Sequence, residues 1–177
     1  KCGQGSSEVL TLIEKLGNID AIFDCDLDGY IEAGINERLA ESLCDKSLEE
    51  AHGIILRCQR ERAGIICYDN EKFPASLRSL KNPPVVLYYL GKLPDFNKHL
   101  CVSVVGTRTM SEYGKKAAYK IAYEVAASGA VVVSGLALGI DGVASCAAIA
   151  AKGCTVVVLG CGIDRVYPKE HSTLAHV

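Results

Sequence analysis

The sequence lacks the signals of a membrane-spanning or secreted chain. No apolar run approaches the roughly 20 residues that are needed to cross a bilayer. The first residues, KCGQGSSEV, contain neither an initiator Met nor an apolar leader segment. Hydrophobic residues make up 49% and charged residues 23% of the 177. We therefore expect a soluble globular protein in the cytoplasm that makes no membrane contact.

Signals of a disulfide framework or a metal centre are also missing. The nine cysteines are odd in number, no two are spaced C-x-x-C, and only four histidines accompany them. This pattern argues against disulfides and against a transition-metal site. Because most of the cysteines lie in apolar segments, we predict that they are reduced and pack in the core.

Three sequence signatures of nucleotide or catalytic sites are absent. The segment GTRTMS, from residue 106, lacks the second glycine of G-x-G-x-x-G. A P-loop fails because Gly106 and Gly114 are too far apart and Lys116 follows Lys115. Without G-x-S-x-G, nothing marks Ser134 as a nucleophile.

The first third of the chain has helical periodicity. VLTLIEKLG predicts a helix that ends at Gly17, and NERLAESL predicts a second one. A third is predicted from Ser47, where S-L-E-E has the pattern of a capping box, with Leu48, Ala51, Ile55 and Cys58 on one face. We predict a small all-helical domain, similar to SAM or helix-hairpin-helix domains, over residues 1–62.

The periodicity changes at residue 63. GIICY and VVLYYLG predict strands, and the prolines of the intervening FPASLRSLKNPP predict an irregular segment. CVSVVG, a helix over 111–128, AVVVSG, a helix over 139–151 and CTVVVLG then form a βαβαβ pattern. Residues 63–177 therefore predict an α/β fold, a Rossmann-like parallel sheet with flanking helices.

The predicted strand ends form a candidate anion site. Ligands of such sheets bind beyond the carboxyl ends of the strands. Two of these ends carry Gly106, Thr107 and Arg108, and Ser134 and Gly135, with Ser111 predicted to cap the following helix. Asp141 and Asp164 are open to two interpretations, helix or turn capping and a pair of acid/base carboxylates.

Charge and a short motif favour a polyanionic ligand. Residues 1–62 carry 13 acidic and seven basic side chains, a net −6, whereas residues 63–177 carry eight and 12, a net +4. Tyr167-Pro168-Lys169 adds a ring and a cation that suit a nucleic-acid backbone. On charge alone, two differently solvated surfaces explain the asymmetry equally well.

Six blocks in order resemble the DNA-processing protein A family. They are KFPASL, NPPVVLYYLG, VVGTR, SEYG, VVVSGLALGID and GCTVVVLGCGIDRVYP, and the resemblance covers residues 60–175. It implies a cytoplasmic protein that binds single-stranded DNA, protects incoming DNA in natural transformation and loads the RecA recombinase, without catalytic turnover or a cofactor. Gly106, Thr107 and Arg108 correspond to the family's phosphate pocket, Ser134 and Gly135 to its SG segment, and Lys169 to a basic DNA-binding position.

The resemblance also implies that residues are missing. Members of the family continue beyond the position of Val177 with further strands, an S-E segment and an R-N-R segment, so we expect the α/β domain to be truncated here. We also expect the full-length protein to be a homodimer. One alternative is a nucleotide enzyme of the phosphoribohydrolase type, although its P-G-G-x-G-T segment is absent. A dinucleotide oxidoreductase is disfavoured by the glycine spacing.

Overall fold

The structure is a computed structural model, and it describes residues 7–176. The chain divides into two compact units, and the division falls between Tyr88 and Tyr89. The domain boundary after residue 62, which the sequence predicts, stays a prediction. The last helix of the predicted helical domain does end at Arg60, immediately before that position.

Five helices form the first part of the first unit: α1 Ser7–Leu16, α2 Ile19–Asp24, α3 Leu27–Glu32, α4 Glu37–Cys44 and α5 Glu49–Arg60. Side-chain caps explain why three of them begin where they do. Asn18, Asp26 and Asn36 each accept a hydrogen bond from the backbone N–H three residues later. Gly17, at φ +93°, ends α1 as predicted.

The helical core is built around Tyr30. Leu12, Tyr30, Ala33, Ile35 and Ala40 are buried together. Lys46 covers one side of this core, with Nζ 5.4 Å from the centroid of the Phe23 ring and 5.0 Å from that of Tyr30. The same ammonium donates to the Tyr30 hydroxyl at 2.8 Å. A charged side chain thus closes an otherwise apolar cluster.

Helix α5 differs from its prediction. It begins at Glu49 with Leu48 as its N-cap, and no side chain caps it. The predicted capping box is therefore wrong, and Ser47 Oγ only accepts a 3.4 Å hydrogen bond from the Glu49 amide. Of the predicted apolar face, Cys58 alone is buried. Most of α5 is exposed to solvent.

The proline-rich segment contains a short helix that was not predicted. Helix α6, Ala75–Arg78, lies between strands β1, Gly64–Cys67, and β2, Val86–Tyr89, which form a two-stranded sheet. The helix starts directly after Pro74. A proline is compatible with a helix start because its missing N–H is not needed there. The prediction of an irregular segment is therefore wrong at this turn.

The second unit has the predicted βαβαβ order. Its elements are β3 Cys101–Ser103, α7 Glu112–Ala127, β4 Val131–Ser134, α8 Ile140–Ala150 and β5 Cys154–Val157, followed by a 3-10 turn, Lys169–His171, and α9 Ser172–Ala175. The strands are parallel in the order β3-β4-β5. Val102 pairs with Val132 and Val132 with Thr155. The predicted α/β fold class, with a parallel sheet and a preceding helical region, is confirmed.

Small side chains form the core of the second unit. Ala122, Ala126, Val132, Ala144, Ala147 and Ala148 form one buried cluster. Alanines on facing helices allow α7 and α8 to pack closely on each other and on β4. The carboxyl ends of the strands are thereby held on a rigid base.

The cysteines do not form the predicted core. Among the described cysteines, which are free, Cys58 alone is buried, and Cys25 and Cys154 are half-buried. Five are exposed: Cys44, Cys67, Cys101, Cys146 and Cys161. Cys2 lies outside the described residues. The packing prediction is wrong because alanine and valine, and not cysteine, fill the buried positions of the sheet unit.

Candidate phosphate-binding site

Hydrogen bonds connect the carboxyl ends of the three parallel strands. The Val104 amide donates to the Val133 carbonyl at 2.9 Å, and the Val158 amide donates to the Ser134 carbonyl at 2.8 Å. These bonds continue the sheet beyond its regular strands. The predicted site residues of β3 and β4 therefore lie at one edge of the sheet.

Asp141, the second residue of α8, joins two of these strand ends. Its carboxylate is buried, with 6% of the residue exposed. Oδ1 accepts from the Gly106 amide at 3.2 Å, and Oδ2 accepts from the Gly135 amide at 3.1 Å. Hydrogen bonds from backbone N–H groups stabilise a buried carboxylate. Asp141 thus fixes the loop after β3 to the loop after β4.

This role replaces the cap predicted for Asp141. The N-cap of α8 is Gly139, and no side chain caps that helix. Both carboxylate oxygens already accept a backbone hydrogen bond, so the arrangement supports neither the cap nor a free general base at this position. Asp164, the other candidate carboxylate, is exposed.

Close backbone packing explains the small residues of the turn after β3. A Cβ at Gly139, which has φ +83°, would lie 2.2 Å from the Thr107 carbonyl oxygen. A Cβ at Gly106 would lie 2.8 Å from Cγ1 of Ile140. The Ile140 amide also donates to the Thr107 carbonyl at 3.2 Å. The first residues of α8 therefore pack against the turn at residues 106–108 and fix its backbone.

Arg108 projects from this fixed turn as an exposed cation. Within residues 7–176, its guanidinium makes no ion pair or hydrogen bond, and no acceptor engages its amide or that of Thr107. The Thr107 hydroxyl bonds locally, donating to the Thr109 carbonyl at 3.1 Å. The turn thus presents one permanent charge and two unused N–H groups, a combination suited to an anion.

Ser111 has the position that the sequence predicts. Its side chain caps α7 by accepting from the Gly114 amide at 3.1 Å. The cap uses the Ser111 hydroxyl oxygen as an acceptor and fixes where the helix begins. Because α7 starts at Glu112, the helix begins only a few residues after Arg108.

Ser134 and Gly135 have their polar groups engaged inside the protein. Ser134 is 3% exposed, and its hydroxyl donates to the Val104 carbonyl at 2.7 Å. The Gly135 amide donates to Asp141. A Cβ at Gly135 would lie 2.8 Å from Asp141 Oδ2, so only glycine fits against the carboxylate. Through these hydrogen bonds, Ser134 and Gly135 fix the backbone at the carboxyl edge of the sheet.

Lys169 lies in a turn that is attached to the second unit by His171, a residue that sequence reasoning missed. Lys169 opens the 3-10 turn after a cis Tyr167-Pro168 bond and is exposed. In the same turn, His171 Nδ1 lies 2.8 Å from the carbonyl oxygen of Leu136, to which it donates. The His171 ring also lies against Gly142, where a Cβ would approach Cε1 to 2.4 Å. His171 therefore attaches the segment that carries Lys169 to the loop after β4.

The charges and possible metal ligands of the described residues are distributed as follows. Residues 7–176 hold no group of three or more His, Cys, Asp or Glu side chains placed to bind a metal ion. Among the same residues, no helix is long and apolar enough to cross a membrane. The exposed charges along this edge come from side chains such as Arg108 and Lys169, which match phosphate groups.

Comparison with known proteins identifies relatives of this arrangement. The sequence model of DNA recombination-mediator protein A matches residues 64–177. The DNA processing protein DprA of Bacillus subtilis is 37% identical over 122 residues, which is 68% of this chain and 41% of that protein. DprA of Streptococcus pneumoniae is 40% identical over 102 residues, 58% of this chain and 36% of that protein. The chain thus spans less than half the length of these relatives.

Two solved structures share the fold. The crystal structure of DprA from Streptococcus pneumoniae matches with a TM-score of 0.78 and 30% identity, over 99% of this chain and 60% of that one. A structure of DprA from Helicobacter pylori, described for its single-stranded DNA binding mode, matches with a TM-score of 0.56 and 32% identity. That match covers 65% of this chain and 51% of the other.

Proposed function

The chain belongs to the DNA recombination-mediator protein A family, and we propose that it binds single-stranded DNA at the carboxyl edge of its parallel sheet. One observation carries the proposal. Arg108 is an exposed guanidinium without a protein partner among the described residues, on a turn that Gly139, Ile140 and Asp141 hold from behind. Because the backbone of the turn is already in place, binding a backbone phosphate requires only the Arg108 side chain to be ordered.

The predicted site residues divide into two roles in this proposal. Arg108 and Lys169 contact phosphates directly, together with the free amides of Thr107 and Arg108. Gly106, Ser134 and Gly135 give the edge its shape, since their polar groups bond to Asp141 or Val104. Ser111 fixes the start of α7 beside the turn. Tyr167, 65% exposed, offers a ring on which a base can stack.

The wider role that we propose follows the family. The protein protects single-stranded DNA that enters the cytoplasm during transformation, and it loads RecA recombinase onto that DNA without turning over a substrate. The full-length protein acts as a homodimer. The name of the matched family and the single-stranded DNA of the Helicobacter relative support this role.

The phosphate contact is tested by fluorescence anisotropy with a labelled oligothymidylate. We expect Arg108→Ala to weaken binding by about tenfold or more, because a charge-assisted hydrogen bond is lost. The slope of log K against log salt should fall by about 0.7, the contribution of one phosphate on a single strand. Arg38→Ala is the matched control, since Arg38 is exposed on α4 of the acidic helical unit. Equal loss in the two variants would contradict the proposed site.

A separate assay tests the recombination role. RecA filament formation on DNA coated with single-strand-binding protein should be faster with the full-length protein than without it. Arg108→Ala should remove that acceleration while RecA alone remains active. A release of free base from nucleoside monophosphates would instead favour the phosphoribohydrolase alternative. The hydrogen bonds of Asp141 disfavour that alternative, because neither carboxylate oxygen is free of a backbone donor.

A further inference from the structure

The solvent face of α7 carries an ordered set of aromatic and basic side chains. Tyr113, Lys116, Lys120 and Tyr123 follow one another at spacings of three, four and three residues. At 3.6 residues per turn, these spacings place all four on one side of the helix, and we call this set the α7 stripe. Tyr113 is 81% exposed and Tyr123 41% exposed.

The α7 stripe lies opposite the buried face of the helix. Ala118, Ala122 and Ala126 form that buried face and pack in the core of the sheet unit. The core therefore does not explain the tyrosines and lysines. Each large aromatic side chain left in water forgoes the stabilisation that burial would give it.

The last residue of the stripe, Tyr123, has its ring nearly parallel to that of Tyr119, which lies beside the stripe. Tyr119 and Tyr123 stack with a centroid distance of 6.3 Å and an interplanar angle of 19°. Tyr119 is also 43% exposed. A pre-stacked ring pair offers a flat apolar surface at little cost in side-chain entropy, which is what an unpaired base requires.

The lysines give the stripe a positive charge. Within the described residues, Lys116 and its neighbour Lys115 make no ion pair. Lys120 lies 3.9 Å from Glu124, a distance at which an exposed pair contributes little. Glu112 at the start of the helix is the other acidic residue of α7. Lysines outnumber carboxylates on α7 by three to two, and Glu124, four residues after Lys120, lies on the same side of the helix as the stripe.

The stripe continues from the candidate phosphate site. Ser111 caps α7 directly after the turn that carries Arg108, and the stripe begins at Tyr113. From Tyr113 to Tyr123 the helix rises about 15 Å. A strand bound at Arg108 can thus pass along α7 with rings and ammonium groups beside it.

We propose that the α7 stripe is a second contact for single-stranded DNA, in which tyrosine rings stack on bases and Lys116 and Lys120 contact phosphates. This inference rests on the proposed function, since it extends the DNA path that starts at Arg108. It predicts a contact that only longer oligonucleotides reach. An acidic protein partner is the competing occupant of the same surface, and the test below separates the two.

The experiment measures the binding of oligothymidylates of about 3 and about 20 nucleotides by anisotropy, since at about 3.4 Å per nucleotide only the longer strand spans the stripe from Arg108. The proteins are the wild-type chain, Lys116→Ala/Lys120→Ala, Tyr113→Ala and Arg108→Ala. Lys72→Ala/Lys81→Ala is the matched control, because it removes two exposed lysines from the first unit. We expect the double stripe variant to lower the salt slope for the longer strand by about 1.4 and to leave the shorter strand unaffected. Tyr113→Ala should lower the affinity for the longer strand by about tenfold.

Each outcome has a distinct meaning. Loss confined to the longer strand, together with photocrosslinking of bromouracil to a peptide that contains Tyr113, supports the stripe. Wild-type affinity of the stripe variants for both strands, with Arg108→Ala defective, overturns the stripe and leaves the proposed function intact. No binding of either strand by the wild-type chain overturns both. Equal loss in the control variant overturns the stripe as well, because net charge alone then explains the effect.

Discussion

The first unit, whose core lies among its helices and which we call the helical unit, and the second unit, which contains the parallel sheet and which we call the sheet unit, stabilise their cores with different side chains. The first buries a large polar ring, Tyr30, whose hydroxyl donates to the Ile22 carbonyl and accepts from Lys46. The second buries alanines and satisfies Asp141 with backbone amides. The side chains of the first unit thus stabilise that unit itself. In the second unit, close packing leaves Arg108, Lys169 and the α7 stripe free of structural tasks.

Charge divides in the same way. Residues 1–88 carry ten basic and 15 acidic side chains, a net −5, whereas residues 89–177 carry nine and six, a net +3. An acidic surface repels a phosphate backbone, so the sheet unit is where DNA should bind. We therefore expect DNA binding to be independent of the core of the first unit, a separation that variants can test. Tyr30→Ala and Asp141→Asn test this separation, and two smaller effects test side-chain ionisation in the second unit.

Tyr30→Ala should destabilise the helical unit most. Removing a fully buried aromatic ring costs about 4 kcal/mol, and it also leaves Lys46 without its hydroxyl partner. Urea denaturation followed by circular dichroism measures the change. Tyr88→Ala is the control, with a smaller expected change because Tyr88 is 43% exposed. DNA binding by the folded Tyr30→Ala protein should match that of the wild type, and a clear loss would break the separation.

Asp141→Asn should affect both stability and DNA binding in the sheet unit. An amide group can accept from only one of the two glycine N–H groups and opposes the other with its own donor, at a cost of about 1–3 kcal/mol. The turn at Arg108 should then lose its fixed position, so oligothymidylate binding should weaken. Asp164→Asn is the matched control, because Asp164 is exposed. Unchanged DNA binding by Asp141→Asn would show that the hydrogen bonds of Asp141 to Gly106 and Gly135 do not position the site.

Cys154 in strand β5 and Cys146 in helix α8 should differ in their reactivity towards alkylating reagents. Burial raises the pKa of the Cys154 thiol against the smaller opposing effect of Lys92, and burial together with Cys154 raises the pKa of Cys101. A raised pKa leaves less thiolate at neutral pH. Iodoacetamide should therefore modify Cys154 more slowly than the exposed Cys146, as followed by peptide mass spectrometry. Equal rates at neutral pH would be inconsistent with this expectation.

The exposed pair of Asp95 and Lys98 should have the smallest effect. A hydrogen bond from Lys98, 3.0 Å away, is the main cause that lowers the pKa of the Asp95 carboxyl. Because the pKa is lower in the folded state, the pair contributes stability above the unfolded pKa and loses it as pH falls through the folded value. Carboxyl chemical shifts in an NMR titration would detect this change. In Lys98→Met the Asp95 midpoint should move up towards that of a free aspartate.

Local sequence patterns were sufficient for much of the fold. The βαβαβ order, the cap at Ser111 and the helix end at Gly17, with φ of +93°, were all predicted from neighbouring residues and are confirmed. Helices α2 and α3 were missed. Each is six residues long, too short to show an amphipathic repeat. Their caps, Asn18 and Asp26, were the available signal.

Local sequence was enough to locate the strands and helices of the βαβαβ pattern and the residues that could carry charge at the sheet edge, since strand period, helix caps and the glycine-bearing turns depend on near neighbours. The roles of Asp141 and His171 depend instead on the tertiary structure. Asp141 bonds to Gly106 across 35 residues, and His171 bonds to Leu136 across another 35. Such contacts depend on how the crossover connections bring separate strand ends together, which no local pattern encodes. The tertiary structure likewise left Arg108 without a partner among the described residues, whereas the Asp141 carboxylate accepts from the Gly106 and Gly135 amides.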